Sequence, residues 1–187
     1  MSVTPEHDDS VQSPKNKAAR FVDGVMARCA SDKGLAARLR RADNPNTEYQ
    51  SWELLASFNI DLEKEYERLP YAVVSAAIAR SKFEKNGRLK FGQAIASCYS
   101  NGGDSGNESA QAKARLRRLL ACGDTSEVCR ILRPLFALIG SKVSQPLDYA
   151  RLLKQLLGFY WQPERIKAQW AQEFYGYRPV TTAEVDL

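Results

Sequence analysis

Histidine is nearly missing from this chain: His7 is the only one in 187 residues. Proton transfer through imidazole and His-rich metal binding therefore have almost no raw material. The four cysteines (Cys29, Cys98, Cys122, Cys129) contain no CxxC pair. Cys122 and Cys129 lie seven apart with no histidine near them, which is poor zinc spacing. Each cysteine has apolar neighbours at helical spacing, so reduced, buried thiols are expected. No run approaches the roughly 20 apolar residues of a membrane-spanning helix. The N-terminus carries Glu6, Asp8 and Asp9 ahead of Lys15, without the apolar stretch of a secretory signal. No glycine-rich phosphate loop occurs, since Gly102-Gly103 lacks the flanking strand and helix that such a loop requires. These absences argue against an enzyme, a metal site, a cofactor or a membrane span. A cytoplasmic protein is expected.

What the chain does have is segregated charge. From Arg80 to Arg133 there are eleven Lys and Arg against five acids, a net of +6. The remaining residues hold 16 basic and 17 acidic side chains, a net of −1. A confined basic surface is the footprint of a phosphate-bearing partner, although a solvated helical face can also be basic. The acids Asp61, Glu63, Glu65 and Glu67 mostly alternate, with Lys64 and Arg68 beside them, and suit a solvated surface loop.

Hydrophobic periodicity is helical throughout. Phe21, Val22, Val25, Met26 and Cys29 share one face, and Leu35, Ala36 and Leu39 begin a shorter helix that ends at Asp43-Asn44-Pro45-Asn46. Asn44 can cap the next helix, with Trp52, Leu55 and Phe58 on its buried side. Pro70 should open a helix over 70–83 that is apolar almost all round, and hence central. Further helices are expected around Phe91–Cys98, over 110–121 and after Asp124, where Pro134 should kink or interrupt the last of these. Another starts from Ser144-Gln145-Pro146, with Leu152, Leu153, Leu156, Leu157 and Tyr160 inward, and a final one aligns Ile166, Trp170 and Phe174. No stretch alternates for long enough to be a strand. The expected fold is all-α, two small helical bundles packed together. The first spans 17–99 and the second 110–176, with a linker over 100–109, a disordered tail over 1–16 and a second tail over 177–187.

The direction of the arginines matters more than their number. On the 110–121 helix, Arg115 falls at the edge of the buried stripe, with Arg117 and Arg118 on the solvated side. On the next helix, Arg130 and Arg133 face away from Val128, Leu132 and Leu135. Two such faces meeting in one groove would line a phosphate track, for which the rigid guanidinium fork is well suited. Trp52, Phe159, Tyr160, Trp161, Trp170, Phe174 and Tyr175 could stack on bases, but core packing and subunit contacts account for most of them.

Four blocks have a familiar order. Arg38-Leu39-Arg40-Arg41-Ala42-Asp43 comes first, then Leu89-Lys90-Phe91-Gly92-Gln93-Ala94-Ile95-Ala96. Arg115-Leu116-Arg117-Arg118-Leu119-Leu120 follows with Arg130-Ile131-Leu132-Arg133-Pro134-Leu135, and Leu147-Asp148-Tyr149-Ala150-Arg151-Leu152-Leu153 closes the series. Over residues 33–176 this pattern resembles the CasB family, small subunits of the type I-E CRISPR surveillance complex Cascade. The resemblance implies an all-α, non-catalytic subunit, typically present as two copies beside the other Cascade subunits and the guide RNA. It also implies a basic surface that holds the displaced non-target strand of the target DNA and steadies the R-loop. Carried onto this sequence, the nucleic-acid-binding residues are Arg40, Arg41, Lys90, Arg115, Arg117, Arg118, Arg130, Arg133 and Arg165. Gln162-Pro163-Glu164 interrupts the pattern just before Arg165.

Two other classes fit the same residues. One is a helical adaptor whose basic face docks an acidic protein. The other is a helix-turn-helix regulator turning at Ala121-Cys122-Gly123-Asp124, which is disfavoured by Glu127 at the start of its reading helix.

Overall fold

The computed structural model describes residues 14–100 and 105–178, and the side chains from residue 17 onward. Its helices are α1 (Pro14–Ser31), α2 (Lys33–Arg41), α3 (Trp52–Ser57), α4 (Glu65–Arg80) and α5 (Phe91–Ser97). After these come α6 (Ala110–Leu120), α7 (Thr125–Lys142), α8 (Tyr149–Phe159) and α9 (Pro163–Tyr175). Short 3-10 helices cover Pro45–Ser51 and Gly106–Glu108. Among the described residues, the sole strand-like pairing is an isolated parallel bridge between Leu89 and Leu147. The fold is all-α. The tail expected over 1–16 overlaps α1, which begins at Pro14. Its remaining residues, 1–13 with His7, lie outside the described residues, as do 101–104 of the linker and 179–187 of the second tail.

Helix α4 is the centre of the molecule. Every residue from Leu69 to Ala79 is buried, because α1, α2, α7 and α8 all pack against it. The helix starts five residues before the expected Pro70, and Glu65 and Glu67 occupy its first turn. Carboxylates there favour the positive end of the helix dipole, which explains why an acidic stretch that looked like a loop is partly helical. Pro70 gives up one backbone hydrogen bond inside the helix, a loss that burial on all sides outweighs. Asp61 pairs with Lys64 at 2.8 Å, and Glu67 also pairs with Lys17 of α1 at 3.3 Å.

The apolar core is one cluster, formed by helices on both sides of 100–109. Helix α1 packs on α8, α4 on α7 and α8, and α5 on α9. The α5–α9 crossing is close enough that a Cβ on Gly92 would come within 2.4 Å of the Trp170 carbonyl oxygen. Glu173, nearly buried, fastens this crossing. It accepts from Gly92 N (3.1 Å), Arg151 Nε (2.8 Å) and Gln155 Nε2 (3.1 Å). The second half of the expected linker is anchored too, since buried Asn107 donates to the carbonyls of Tyr175 (3.1 Å) and Tyr177 (3.0 Å).

A second tie joins residues 86–90 to 146–150. Gly87 N donates to Leu147 O (3.0 Å) and Asp148 N to Leu89 O (2.9 Å). The Asn86 side chain donates to Asp148 (3.0 Å) and accepts from Tyr149 N (2.8 Å). Pro146 is therefore part of this clasp, and α8 starts later than expected, capped by Asp148.

Register differs in three further places. The 3-10 turn over 45–51 rotates α3 so that Leu54 and Leu55 go inward, leaving Trp52 40% exposed. Tyr160 lies past the end of α8 and is exposed, with Phe159 buried in its stead. Helix α7 is continuous through Pro134, which lies on its exposed face.

Candidate nucleic-acid interface

Helices α6 and α7 are joined by a tight turn. Asp124 accepts from Glu127 N (2.8 Å), and the Glu127 carboxylate accepts from Gly123 N (2.7 Å). This reciprocal cap uses up both acids at the corner. Leu116 and Leu119 of α6 and Val128 and Leu132 of α7 are fully buried, which fixes the rotation of both helices. Their polar edges then meet in a shallow groove of about 190 Å³ lined by Arg115, Arg118 and Arg130, with Ile131, Pro134 and Leu135 as its floor. All three arginines are exposed, and among the described residues none pairs with a carboxylate. Arg117 is exposed but sits about 100° around α6 from Arg118, and it does not line the groove.

A larger hollow of about 660 Å³ opens farther along α7. Arg40, Arg80 and Lys82 contribute its cations, and among the described residues no carboxylate lines it. Arg40 is held by donating from Nη1 to Ala79 O (3.1 Å), and Arg80 donates from Nη2 to Arg40 O (2.9 Å). A neighbouring recess shares Arg40 and Lys82 and adds Lys33 and the carboxylate of Glu84. Arg80, Lys82 and Lys33 were not among the residues singled out from the sequence. Arg80 and Lys82 belong to the basic middle, but only the packing of α2 beside the end of α4 brings them to Arg40.

The groove and the hollow share one exposed stripe of α7. Arg130, Pro134, Ala137 and Ser141 recur at i, i+4, i+7 and i+11, and all are exposed. The stripe runs about 16.5 Å along the helix axis, from Arg130 at the groove to Ser141 at the hollow, and Pro134 and Ala137 between them are small.

Arg133 has a different fate. It is drawn inward, with only 14% of its side chain exposed, and its Nε lies 3.5 Å from Asp43 Oδ1. Arg80 pairs with the other oxygen of the same carboxylate. Nε and Nη2 of Arg133 are buried without a hydrogen-bond partner among the described residues, so the pair is Coulombic rather than well bonded. Arg133 is thus an internal tie between α7 and the end of α2, and its expected solvent-facing position is corrected. Asp43, near enough to α7 in space, was not visible as its partner from helical phase alone.

Three candidates stand apart. Arg41 is exposed at the end of α2, and Lys90 is exposed at the N-cap of α5. Arg165 is exposed in the first turn of α9 and donates to Gln162 (2.9 Å). None of the three lines the groove or the hollow.

The remaining chemistry is quiet. Burial pushes the Cys129 thiol up to about 12 against the opposing charge of Arg133, and the Cys98 thiol up to about 11. Neither supplies a thiolate nucleophile near neutrality. Among the described residues no three His, Cys, Asp or Glu gather as a metal site, and no helix is long and apolar enough to cross a membrane. Half-buried Tyr66 forms an aromatic cluster with the exposed Tyr160 and Trp161, Tyr66 and Tyr160 being stacked at 4.2 Å between centroids.

Comparison with known proteins follows the same lines. The family model described as CRISPR-associated protein Cse2 matches residues 35–175. A crystal structure of M. ruber CasB superposes with a TM-score of 0.66 at 25% identity, covering 88% of this chain and 93% of that one. CasB from Thermus thermophilus gives 0.59 at 24% identity, covering 85% and 97%. A chain of a CRISPR RNA-guided surveillance complex shares the fold with a TM-score of 0.68 at 20% identity, covering 87% and 93%. No curated protein matches the sequence.

Proposed function

Because the chain belongs to the CRISPR-associated Cse2 family, we propose that it is a non-catalytic small subunit of an RNA-guided surveillance complex. In this reading its basic face holds the displaced non-target strand and steadies the R-loop. Its partners are the other Cascade subunits, the guide RNA and the target DNA, with a second copy of itself alongside. Exchange of a DNA duplex for a guide–target duplex is nearly balanced, so modest contacts to backbone phosphates can tip it. Such contacts need charge without base reading.

One observation carries the proposal: Arg115, Arg118 and Arg130, from two helices, converge on a single groove that no carboxylate among the described residues lines. Arg40, Arg80 and Lys82 extend that cationic strip along α7. Arg117, Arg41, Lys90 and Arg165 remain candidates for contacts outside it. Exposed Tyr160 and Trp161, packed on half-buried Tyr66, favour a protein-facing surface elsewhere on the same subunit. Tyr66 and Arg80 lie near opposite ends of α4, about 21 Å apart along its axis.

Single-stranded DNA binding measured against salt concentration tests the reading. Log affinity should fall linearly with log salt, by roughly 0.7 per phosphate neutralised. Replacing Arg118 and Arg130 together with Ala should weaken every sequence equally and flatten the slope by about 1.4. An unchanged slope and affinity would remove the groove from the track.

A further inference from the structure

The hollow beside α7 differs in kind from the groove beside α6. Its walls are largely apolar and aromatic, including Phe83, Phe136 and Tyr149, and its cations are Arg40, Arg80 and Lys82. Phe83 is half-exposed, with Lys82 Nζ 5.4 Å from its ring centroid, and its backbone N–H donates to Ser81 Oγ (3.1 Å). A purely phosphate-binding surface has no use for a recess of about 660 Å³ with such walls. That volume falls in the roughly 300–1,000 Å³ range of small-ligand pockets. Apolar walls beside fixed guanidinium groups match an unstacked nucleobase attached to its own phosphate: the ring plane meets Phe83 and the phosphate meets Arg40 or Arg80.

We infer that this hollow receives a base turned out from the single strand that the α6–α7 groove holds by its phosphates. The inference rests on the proposed nucleic-acid reading and adds a base-dependent contact to it. Recognition is by stacking and burial, so any of the four bases is accepted. An acidic protein segment is the competing occupant of a cationic recess. The apolar walls, offering no second charge layer, favour the base.

Gly140 makes a clean test possible. Among the described residues a Cβ there meets nothing within 4 Å, and the residue lines the hollow on an exposed helical position. Gly140→Leu should therefore fill the hollow while keeping the helix, since glycine is the poorer helix former. The full chain is titrated by fluorescence anisotropy with an end-labelled thymidine 12-mer and with an abasic 12-mer of equal phosphate count. The wild type should bind the thymidine strand about tenfold more tightly, the scale of one base contact. In Gly140→Leu and Phe83→Ala that gap should close, with the salt slope unchanged.

Equal affinity of the two strands for the wild type would overturn the inference and leave the phosphate track standing. A gap that persists in both variants would place the base contact elsewhere and also overturn it. Loss of surveillance-complex assembly in Gly140→Leu, with oligonucleotide binding untouched, would assign the hollow to a protein and overturn it too. Salt-insensitive or absent binding of both strands would remove the nucleic-acid reading itself, and this inference with it.

Discussion

Arg118 and Arg133 both lie on the polar side of amphipathic helices, yet one points to solvent and the other is buried against Asp43. The difference is set by what packs opposite. The end of α2 delivers a carboxylate, itself only 12% exposed, into the space beside α7. Asp43 binds Arg80 as well, so one negative charge holds the buried Arg133 and restrains one cation of the basic strip. Asp43→Asn keeps the shape and removes the charge. Stability should fall by about 2 kcal/mol, the scale of a charged hydrogen bond, lowering Tm by about 4–8 °C. Affinity for single-stranded DNA should nevertheless rise, by about threefold at low salt, because a repelling charge near the phosphates is gone. A thermal melt and a binding titration on the same sample check both. Weaker binding at unchanged stability would mean that Asp43 organises the strip instead of restraining it.

At the level of helices and turns, much of the fold was legible because the buried stripes were strongly periodic. Leu116 with Leu119 in α6, Ile166, Trp170 and Phe174 in α9, and the all-round apolar face of α4 fell where their spacing placed them. Errors arose where short non-periodic pieces reset the phase. The 3-10 turn before α3 swapped Trp52 for Leu54, and the clasp around Pro146 delayed α8. The groove arginines were legible for the same reason that α6 and α7 were. The hollow was not, because Arg40, Arg80 and Gly140 are distant in sequence and meet only through packing on α4. The clasp offers its own test. A Cβ on Gly87 would come 1.7 Å from Pro146 O and 2.2 Å from its carbonyl carbon, both rigid backbone atoms. Gly87→Ala should cost about 1–3 kcal/mol, as overpacking does, and lower Tm without changing the salt slope of DNA binding. A melt identical to wild type would mean that residues 86–90 shift freely.

Across the whole molecule, chemistry is distributed along α4. Its C-terminal end meets the cationic hollow, and its N-terminal end carries Glu65, Glu67 and the Tyr66 aromatic cluster. A subunit with two unlike ends can meet a polyanion and a protein at once. The shared core also means that covalent continuity between residues 100 and 105 contributes little to cohesion: α1 lies on α8, α5 on α9, and the 86–90 clasp grips 146–150. A site-specific protease sequence inserted there and then cleaved should leave both pieces in one peak on gel filtration, with helical content retained. Separation into two species would show that chain connectivity, not packing, holds them. If the nicked protein stays whole, the subunit becomes a two-piece complementation system. Each piece could then carry its own reporter at the new ends, and reassembly of function could be timed by mixing.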